Sequence, residues 1–193
     1  MHADLLLIDN FLECAEREAI LAELRGVGGA PATVHSGAPA GRVAPTVRKA
    51  TRLAPSAAMR GLLIGKLRLA MPTVAQRFGA LLTQCEEPQF LRYEVGGHFV
   101  AHQDGNTPLV HDDSRHRRVS MVIVLNAQAE APAADADTFG GGALVMHGRF
   151  PDIAARTPVP AAPGTLVAFR SETTHEVMPV THGERYSIVS WYR

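Results

Sequence analysis

Two residues that can bind a metal ion stand two positions apart in the middle of the chain. His102 ends the β-like run 99–102, which comes after the run 89–95, and Asp104 lies just beyond it. Residues two positions apart in a strand point to the same face, so an imidazole and a carboxylate are predicted to converge. A third ligand from a neighbouring strand would complete a two-histidine, one-carboxylate site, and His175 is the candidate. Such a donor set is typical of non-haem iron(II) and leaves coordination positions open.

The spacing is a weak signal when taken alone, because His111 and Asp113 repeat it. That second pair lies in the polar segment 105–118, which would hold ligands poorly, whereas the first pair follows an aromatic strand. We therefore assign the metal site to His102 and Asp104. Each of the three ligands taken singly would more often be an ordinary core, turn or loop residue, so only their combination indicates a site.

Arg185 begins the last predicted strand, 185–191, of which both faces are largely apolar. Alternation places four side chains on one face: Arg185, Ser187, Val189 and Trp191. A buried guanidinium without an anion is costly, and no acidic residue follows Arg185 on that face. We expect an inward-pointing Arg185 to grip a ligand carboxylate with its planar fork. The alternative is an arginine that reaches solvent or pairs with Glu184 or Glu176.

The composition indicates one globular domain over 1–193 with no global charge. The chain is 46% hydrophobic and 20% charged, with 19 basic and 19 acidic residues, which gives no field that favours nucleic acid. Two cysteines and a start without a basic secretory leader favour a reduced, cytoplasmic protein. No apolar run approaches the roughly 20 residues of a membrane helix, so we expect no membrane segment. The oligomeric state stays open.

The N-terminal part, about 1–84, is predicted to contain both helices and strands. The pattern gives strands at 5–8 and 42–53 and helices at 13–25 and 56–78. Pro72 is expected to kink or split the second helix. The segment 26–41, rich in glycine, alanine and proline, is a predicted loop and a candidate lid, as is 105–118.

The C-terminal part, about 85–193, changes to short strands separated by glycine- and proline-bearing turns. Further strands are predicted at 119–125, 143–146, 165–169 and 177–180, and 127–137 is a predicted exposed loop. This pattern favours a mainly β (α+β) protein, with a sandwich or barrel buttressed by the N-terminal helices.

Five short motifs between residues 89 and 192 occur together in this chain. They are Arg92-Tyr-x-x-Gly leading to His102-x-Asp104, Leu125-Asn126, Gly141-Gly-Ala-Leu144, His175-Glu-Val-x-Pro179, and Arg185-Tyr186 running to Trp191-Tyr192. Together they resemble the prolyl 4-hydroxylase-like branch of the Fe(II)/2-oxoglutarate-dependent dioxygenase superfamily. The resemblance implies a double-stranded β-helix, that is, a cupin-like jelly roll. It also implies Fe(II) ligation by His102, Asp104 and His175, with 2-oxoglutarate held by Arg185.

The resemblance also implies roles for residues around the co-substrate. Tyr93 matches a tyrosine that lines the 2-oxoglutarate pocket, and Trp191 matches a pocket-wall tryptophan; plain core packing is the alternative for both. The oxygen-sensing members place a tyrosine hydroxyl beside the co-substrate where this chain has Val124. Ser187, in an Arg-x-Ser pattern, is expected to replace that lost hydrogen bond.

The implied reaction consumes O2 and 2-oxoglutarate, releases succinate and CO2, and hydroxylates a C–H bond. The resemblance favours a prolyl residue of a peptide or protein as substrate, with a free amino acid or other small molecule as the alternative. Two rivals come from other classes. One is a non-catalytic β-helix protein that binds a metal or a carboxylate, and the other is a zinc hydrolase, for which the sequence offers no general base. A requirement for ascorbate stays open.

Overall fold

The computed structural model describes residues 4–34, 41–108, 112–131, 137–148 and 152–193. Within those ranges lie two α-helices, α1 (Cys14–Gly26) and α2 (Ala57–Phe78), and a 3-10 helix (Asp113–His116). The strands are β1 (Leu5–Ile8), β2 (Gly29–Pro31), β3 (Arg48–Lys49), β4 (Thr51–Leu53), β5 (Gln89–Tyr93), β6 (His98–His102), β7 (Val119–Val124), β8 (Ala127–Gln128), β9 (Thr138–Gly141), β10 (Leu144–His147), β11 (Arg156–Pro158), β12 (Leu166–Arg170), β13 (His175–Val177), β14 (Val180–His182) and β15 (Arg185–Tyr192).

Two antiparallel sheets form the body of the molecule. The larger has the order β1-β12-β7-β15-β5-β4-β2, and the smaller has the order β11-β10-β13-β6-β3. One buried cluster joins side chains from both sheets: Val122, Leu144, Met146, Val167 and Phe169. The sheets therefore face each other across an apolar interior, which is the predicted double-stranded β-helix. A third, small sheet has the order β14-β9-β8.

The two α-helices cover the outer face of the larger sheet, as predicted. Ile20, Leu21 and Leu24 of α1 and Leu63, Leu67, Val74 and Phe78 of α2 belong to the same buried cluster as the outward side chains of β7, β12 and β15. Helix α2 begins where the hydroxyl of Ser56 accepts the N–H of Met59 at 3.2 Å. It ends at Gly79, whose φ of 57° favours a residue without a Cβ.

Two predicted elements differ in the structure. Helix α2 is a single helix of 22 residues that continues through Pro72 instead of splitting there. Proline removes one hydrogen-bond donor, but buried residues on both sides of it pack into one core and hold the helix together. The strand predicted at 42–53 is divided into β3 and β4, which join different sheets.

The predicted loops are only partly irregular. Segment 26–41 contains β2, and segment 127–137 begins with β8, while Met178 and Pro179 separate β13 from β14 within the strand predicted at 177–180. Residues 35–40, 109–111 and 132–136 of the predicted loops lie outside the described residues. Among the helices that the structure describes, none has the length and apolarity needed to cross a membrane.

Candidate active site

The three candidate metal ligands come together on the smaller sheet. His102 ends β6 and His175 begins β13, and the two residues are direct partners in this antiparallel pair. Asp104 lies two residues beyond β6, where its backbone N–H donates to the carbonyl of Ser171 at 2.9 Å. One ligand atom from each of the three side chains lies within 4.8 Å of the others. The structure thus brings together the residues that the sequence singled out.

Backbone carbonyls fix the orientation of both imidazoles. Nδ1 of His102 lies 2.8 Å from the carbonyl of Val100, and Nδ1 of His175 lies 2.9 Å from the carbonyl of Thr173. A carbonyl can only accept, so each Nδ1 carries the proton and each Nε2 presents its lone pair. The Nε2 atoms lie 3.4 and 3.5 Å from the two carboxylate oxygens of Asp104. All three donor groups therefore face one point.

The protonation states suit a divalent metal. Burial and the neighbouring imidazole of His102 lower the pKa of His175 to about 4, so its ring is neutral at pH 7. Burial alone would raise the pKa of Asp104, but the adjacent imidazoles of His175 and His102 hold that pKa well below its usual range. Neutral imidazole and ionised carboxylate are the forms that bind metals. Two nitrogen donors and one oxygen donor with open positions fit iron(II).

Aromatic rings wall this cluster. Phe99 stacks on His102 with ring centroids 3.6 Å apart, and Phe169 meets His175 edge to face at 4.6 Å. No signal in the sequence indicated Phe169 at this site. Alternation along β12 puts Phe169 on the inward face with Val167, but only the packing of the larger sheet against the smaller one places it at His175.

A cavity of about 470 Å³ lies between the two sheets and contains the ligand cluster. This size lies within the usual range for small-molecule sites. The face of β15 predicted to point inward lines it: Arg185, Ser187, Val189 and Trp191. Tyr93, which is the direct partner of Arg185 in the β5–β15 pair, lines it as well.

Arg185 is only 2% exposed and holds a charge that no described carboxylate matches. Its Nη1 donates to the hydroxyl of Ser187 at 2.8 Å, and its guanidinium carbon lies 5.3 Å from the centre of the Tyr93 ring and 5.9 Å from that of Phe139. Burial lowers the pKa of Arg185 because it disfavours the cation. An anion supplied by a ligand would compensate this charge.

The two alternative partners of Arg185 are engaged elsewhere. Glu184 accepts the hydroxyl of Tyr186 at 2.6 Å, and Glu176 lies 2.9 Å from the imidazole of His147. The interpretation that Arg185 pairs with either acid is therefore wrong. The distal carboxylate of 2-oxoglutarate fits the charge and the planar fork of this arginine.

The remaining predicted positions lie along the same strands. The indole of Trp191 lies under the guanidinium of Arg117, which is 3.6 Å from the ring centre. Its buried Nε1 has no partner at hydrogen-bonding geometry among the described residues. Val124 is the direct partner of Ser187 in the β7–β15 pair, so the hydroxyl faces an apolar neighbour there. Of the second histidine-aspartate spacing, His111 lies outside the described residues.

Known proteins have sequences and folds similar to those of this chain. Residues 88–193 match the family model described as the 2OG-Fe(II) oxygenase superfamily. A PKHD-type hydroxylase of Nitrosomonas eutropha is 31% identical over 94% of this chain and 74% of its own length. A PKHD-type hydroxylase of Synechococcus elongatus is 35% identical over 53% of this chain, which is 40% of that protein.

Two solved structures share the fold over nearly the whole chain. A prolyl-4-hydroxylase of Pseudomonas putida has a TM-score of 0.69 at 25% identity and covers 99% of this chain and 92% of its own. A prolyl hydroxylase of Trichoplax adhaerens, solved with a peptide fragment of the oxygen degradation domain of hypoxia inducible factor, has a TM-score of 0.70 at 18% identity and covers 98% of this chain and 83% of its own. The chain therefore belongs to the 2OG-Fe(II) oxygenase superfamily and is a dioxygenase that uses Fe(II), O2 and 2-oxoglutarate.

Proposed function

We propose that this dioxygenase hydroxylates a prolyl residue of a peptide or protein, with His102, Asp104 and His175 as its iron ligands. Arg185 binds the distal carboxylate of 2-oxoglutarate in this proposal. The observation that carries it is the presence, in one cavity, of a two-histidine, one-carboxylate cluster and a buried arginine that has no carboxylate partner among the described residues. The prolyl substrate is supported by the 25% identical Pseudomonas putida prolyl-4-hydroxylase.

Each side chain in the cavity would then have a role that follows from its position. Iron bound at the cluster supplies the oxidation of 2-oxoglutarate by O2, which gives succinate, CO2 and a hydroxylated C–H bond. Arg185 fixes the far end of the co-substrate, and the hydroxyl of Ser187 holds the guanidinium in place. Tyr93 and Trp191 form further walls of the pocket. The rings beside the histidines exclude water, which strengthens charge interactions inside the cavity.

The test is turnover by the anaerobically iron(II)-loaded protein after air is admitted. We would follow 2-oxoglutarate loss and succinate formation, with and without ascorbate, for wild type, His102→Ala and the control His98→Ala. His98 lies on the same strand β6 but outside the cluster. Wild type and His98→Ala are expected to turn over and His102→Ala is expected to be inactive, because a ligand is lost.

The substrate class is read from stimulation of that turnover. Proline-containing peptides are expected to stimulate it and to gain one oxygen atom by mass spectrometry. Stimulation by free amino acids alone would contradict the prolyl-peptide proposal and favour a small-molecule hydroxylase. Absence of turnover, together with no 2-oxoglutarate binding by calorimetry with manganese in place of iron, would leave a non-catalytic binding protein.

We also propose that the enzyme acts in the cytoplasm. Both cysteines, Cys14 and Cys85, are free thiols, which fits a reducing compartment. Fractionation of cells that express the tagged protein tests this, and recovery outside the cytoplasmic fraction would contradict it.

A further inference from the structure

A second buried arginine lines the cavity from the smaller sheet. Arg48 on β3 is only 8% exposed. Its Nη1 donates to the carbonyl of Thr33 at 3.2 Å, and its guanidinium carbon lies 4.8 Å from the centre of the Phe99 ring. Its Nε has no hydrogen-bond partner in the part of the chain that the structure describes. None of the described carboxylates forms an ion pair with it. A cation buried in this way is stable only when an anion or polar ligand compensates it.

The residues around Arg48 add positive charge to the same cavity. Arg42 and Arg52 line its solvent-facing side, are exposed, and have no ion-pair partner within the described ranges. Arg117 also lines the cavity, but Glu86 already compensates it. Among the described residues that line the cavity, Asp104 is the only carboxylate, and it faces the two histidines. A chain of zero net charge therefore presents a cationic path to whatever enters this cavity.

Arg48 is also placed close to the reacting centre. It lies over Phe99, and Phe99 stacks on the ligand candidate His102, so one side chain separates the guanidinium from the metal cluster. Arg185 belongs to the other sheet and already provides a buried fork for 2-oxoglutarate. Arg48 is thus available to a second anion, which enters past Arg42 and Arg52.

We propose that Arg48 is a specificity-determining residue that binds a carboxylate of the substrate, with Arg42 and Arg52 attracting that group from solvent. This inference rests on the hydroxylase activity of the proposed function and holds for a peptide or a free amino acid, since it assumes only a substrate in this cavity. The carboxylate has two possible sources, an acidic side chain next to the target proline or the free carboxylate of a C-terminal proline or free amino acid. Both present the same planar anion to the guanidinium fork.

The test measures binding to the manganese(II)- and 2-oxoglutarate-loaded protein, which does not turn over. The probes are synthetic peptide libraries with a central or C-terminal proline, flanked by Glu and Asp or by Gln and Asn, each with a free or an amidated C-terminus, and free L-proline. Calorimetry gives affinity. Fluorescence of Trp191, the only tryptophan of the chain and a residue of the cavity wall, gives an independent signal.

The variants are Arg48→Met and, as a matched control, Lys49→Met. Methionine keeps an apolar stem against Phe99 and removes only the charge and the fork. Lys49 is the next residue of β3, is exposed, and lies outside the cavity lining. Wild type and Lys49→Met are expected to bind probes that carry a carboxylate at least about tenfold more tightly than the matched neutral amides. Arg48→Met is expected to lose that preference while its 2-oxoglutarate affinity is unchanged.

The arms of the library identify the source of the carboxylate. A preference that follows the Glu and Asp libraries indicates a flanking acidic side chain, and one that follows the free C-terminus or free L-proline indicates a terminal carboxylate. Either pattern supports the inference if Arg48→Met removes it. Equal binding of charged and neutral probes to wild type, or a preference retained in Arg48→Met, overturns it. A loss of 2-oxoglutarate affinity in Arg48→Met as large as its loss of affinity for the charged probes also overturns it. Failure of wild type to bind 2-oxoglutarate contradicts the proposed function itself.

Discussion

Arginines lie near both ends of strand β15, and their electrostatic surroundings differ. At its C-terminal end, Glu86 accepts Nε and Nη2 of Arg117 at 3.0 and 2.8 Å and Nε of Arg193 at 2.7 Å. At its N-terminal end, Arg185 has a hydroxyl and two aromatic rings around it but no described carboxylate. One end is a completed ion-pair network, and the other is a cation without its anion.

This difference separates residues that hold the fold from residues that hold a ligand. Burial of Glu86 opposes its ionisation, but the two guanidinium groups outweigh that effect and lower its pKa. The C-terminal network is therefore charged and self-sufficient at neutral pH. At the N-terminal end, the charge of Arg185 is compensated only when a carboxylate ligand enters. The unfavourable burial of that charge in the free protein therefore contributes to the affinity for the ligand.

The largest expected effect is the loss of 2-oxoglutarate binding in Arg185→Met. Two charge-assisted hydrogen bonds to a carboxylate contribute about 3 kcal/mol, so the affinity is expected to fall roughly 100-fold. The ligand-free variant is expected to unfold at a temperature equal to or above that of wild type, because an uncompensated buried charge is removed. Calorimetry on the manganese-loaded protein and thermal unfolding with and without 2-oxoglutarate measure both quantities.

If Arg185→Met destabilises the ligand-free protein as strongly as a change at Glu86, the distinction between the two ends of β15 is contradicted. It is sharpened if 2-oxoglutarate raises the melting temperature of wild type and not of the variant. Such a shift is expected because a ligand that binds only the native state stabilises it by mass action.

The second effect is a loss of stability in Glu86→Gln. Removing the acid leaves Arg117 and Arg193 without their shared partner, which is expected to lower the free energy of unfolding by about 3 kcal/mol. The control is Glu87→Gln, whose exposed pair with Arg60 spans 3.5 Å and is expected to contribute less than about 1 kcal/mol. Urea unfolding measures the difference. Equal effects of the two changes would contradict the role given to Glu86.

The pH dependence of stability provides a second measurement on Glu86. A carboxylate whose pKa is lowered by folding stabilises the protein above its ordinary pKa of 4.5, and this stabilisation is lost as the pH falls through the folded value. The stability difference between wild type and Glu86→Gln is therefore expected to be constant near neutral pH and to shrink below about pH 4.5. A difference that persists unchanged under acidic conditions would argue for packing instead of charge.

The sequence predicts the long elements of this fold well because their hydrophobic pattern is local. The two α-helices and strands such as β7 and β15 appear close to their predicted positions. Strands of only two or three residues, such as β2, β8 and β11, carry too few residues for a periodic signal and are formed by pairing with distant strands. The continuity of α2 through Pro72 depends likewise on tertiary packing that a local rule does not contain.

The candidate site divides in the same way. The spacing of His102 and Asp104 and the alternation of β15 are local, and both place their side chains correctly in the cavity. The pairing of His175 with His102 depends on strand register over more than seventy residues of sequence. The position of Arg48 beside Phe99 depends on the antiparallel pairing of β3 with β6, two strands far apart in the sequence, so no local pattern indicated it.

A smaller effect is expected from Ser187→Ala, which acts on the ligand end of β15. The hydroxyl accepts Nη1 of Arg185 and keeps its own proton free to donate to a carboxylate. Its loss is expected to raise the apparent KM for 2-oxoglutarate about tenfold with little change in kcat. Ser190→Ala is the control, because Ser190 lies on the same strand and donates to the carbonyl of Glu86 at 2.7 Å. That control is expected to change stability and leave KM unaltered, and the opposite result would remove Ser187 from the site.

The smallest effect is expected from Trp191→Phe, at the residue that belongs to both regions. The indole ring of Trp191 lies under the guanidinium of Arg117, which belongs to the ion-pair network, and the same side chain lines the cavity. Phenylalanine keeps an aromatic face for the guanidinium but binds cations less well and lacks the N–H, so we expect a stability loss of about 1 kcal/mol and a KM change of about threefold or less. Steady-state kinetics and urea unfolding on the same preparation separate the two effects. A KM increase well beyond tenfold at unchanged stability would contradict this assignment. It would show that the N–H of Trp191 contacts 2-oxoglutarate directly and that the residue does more than line the cavity.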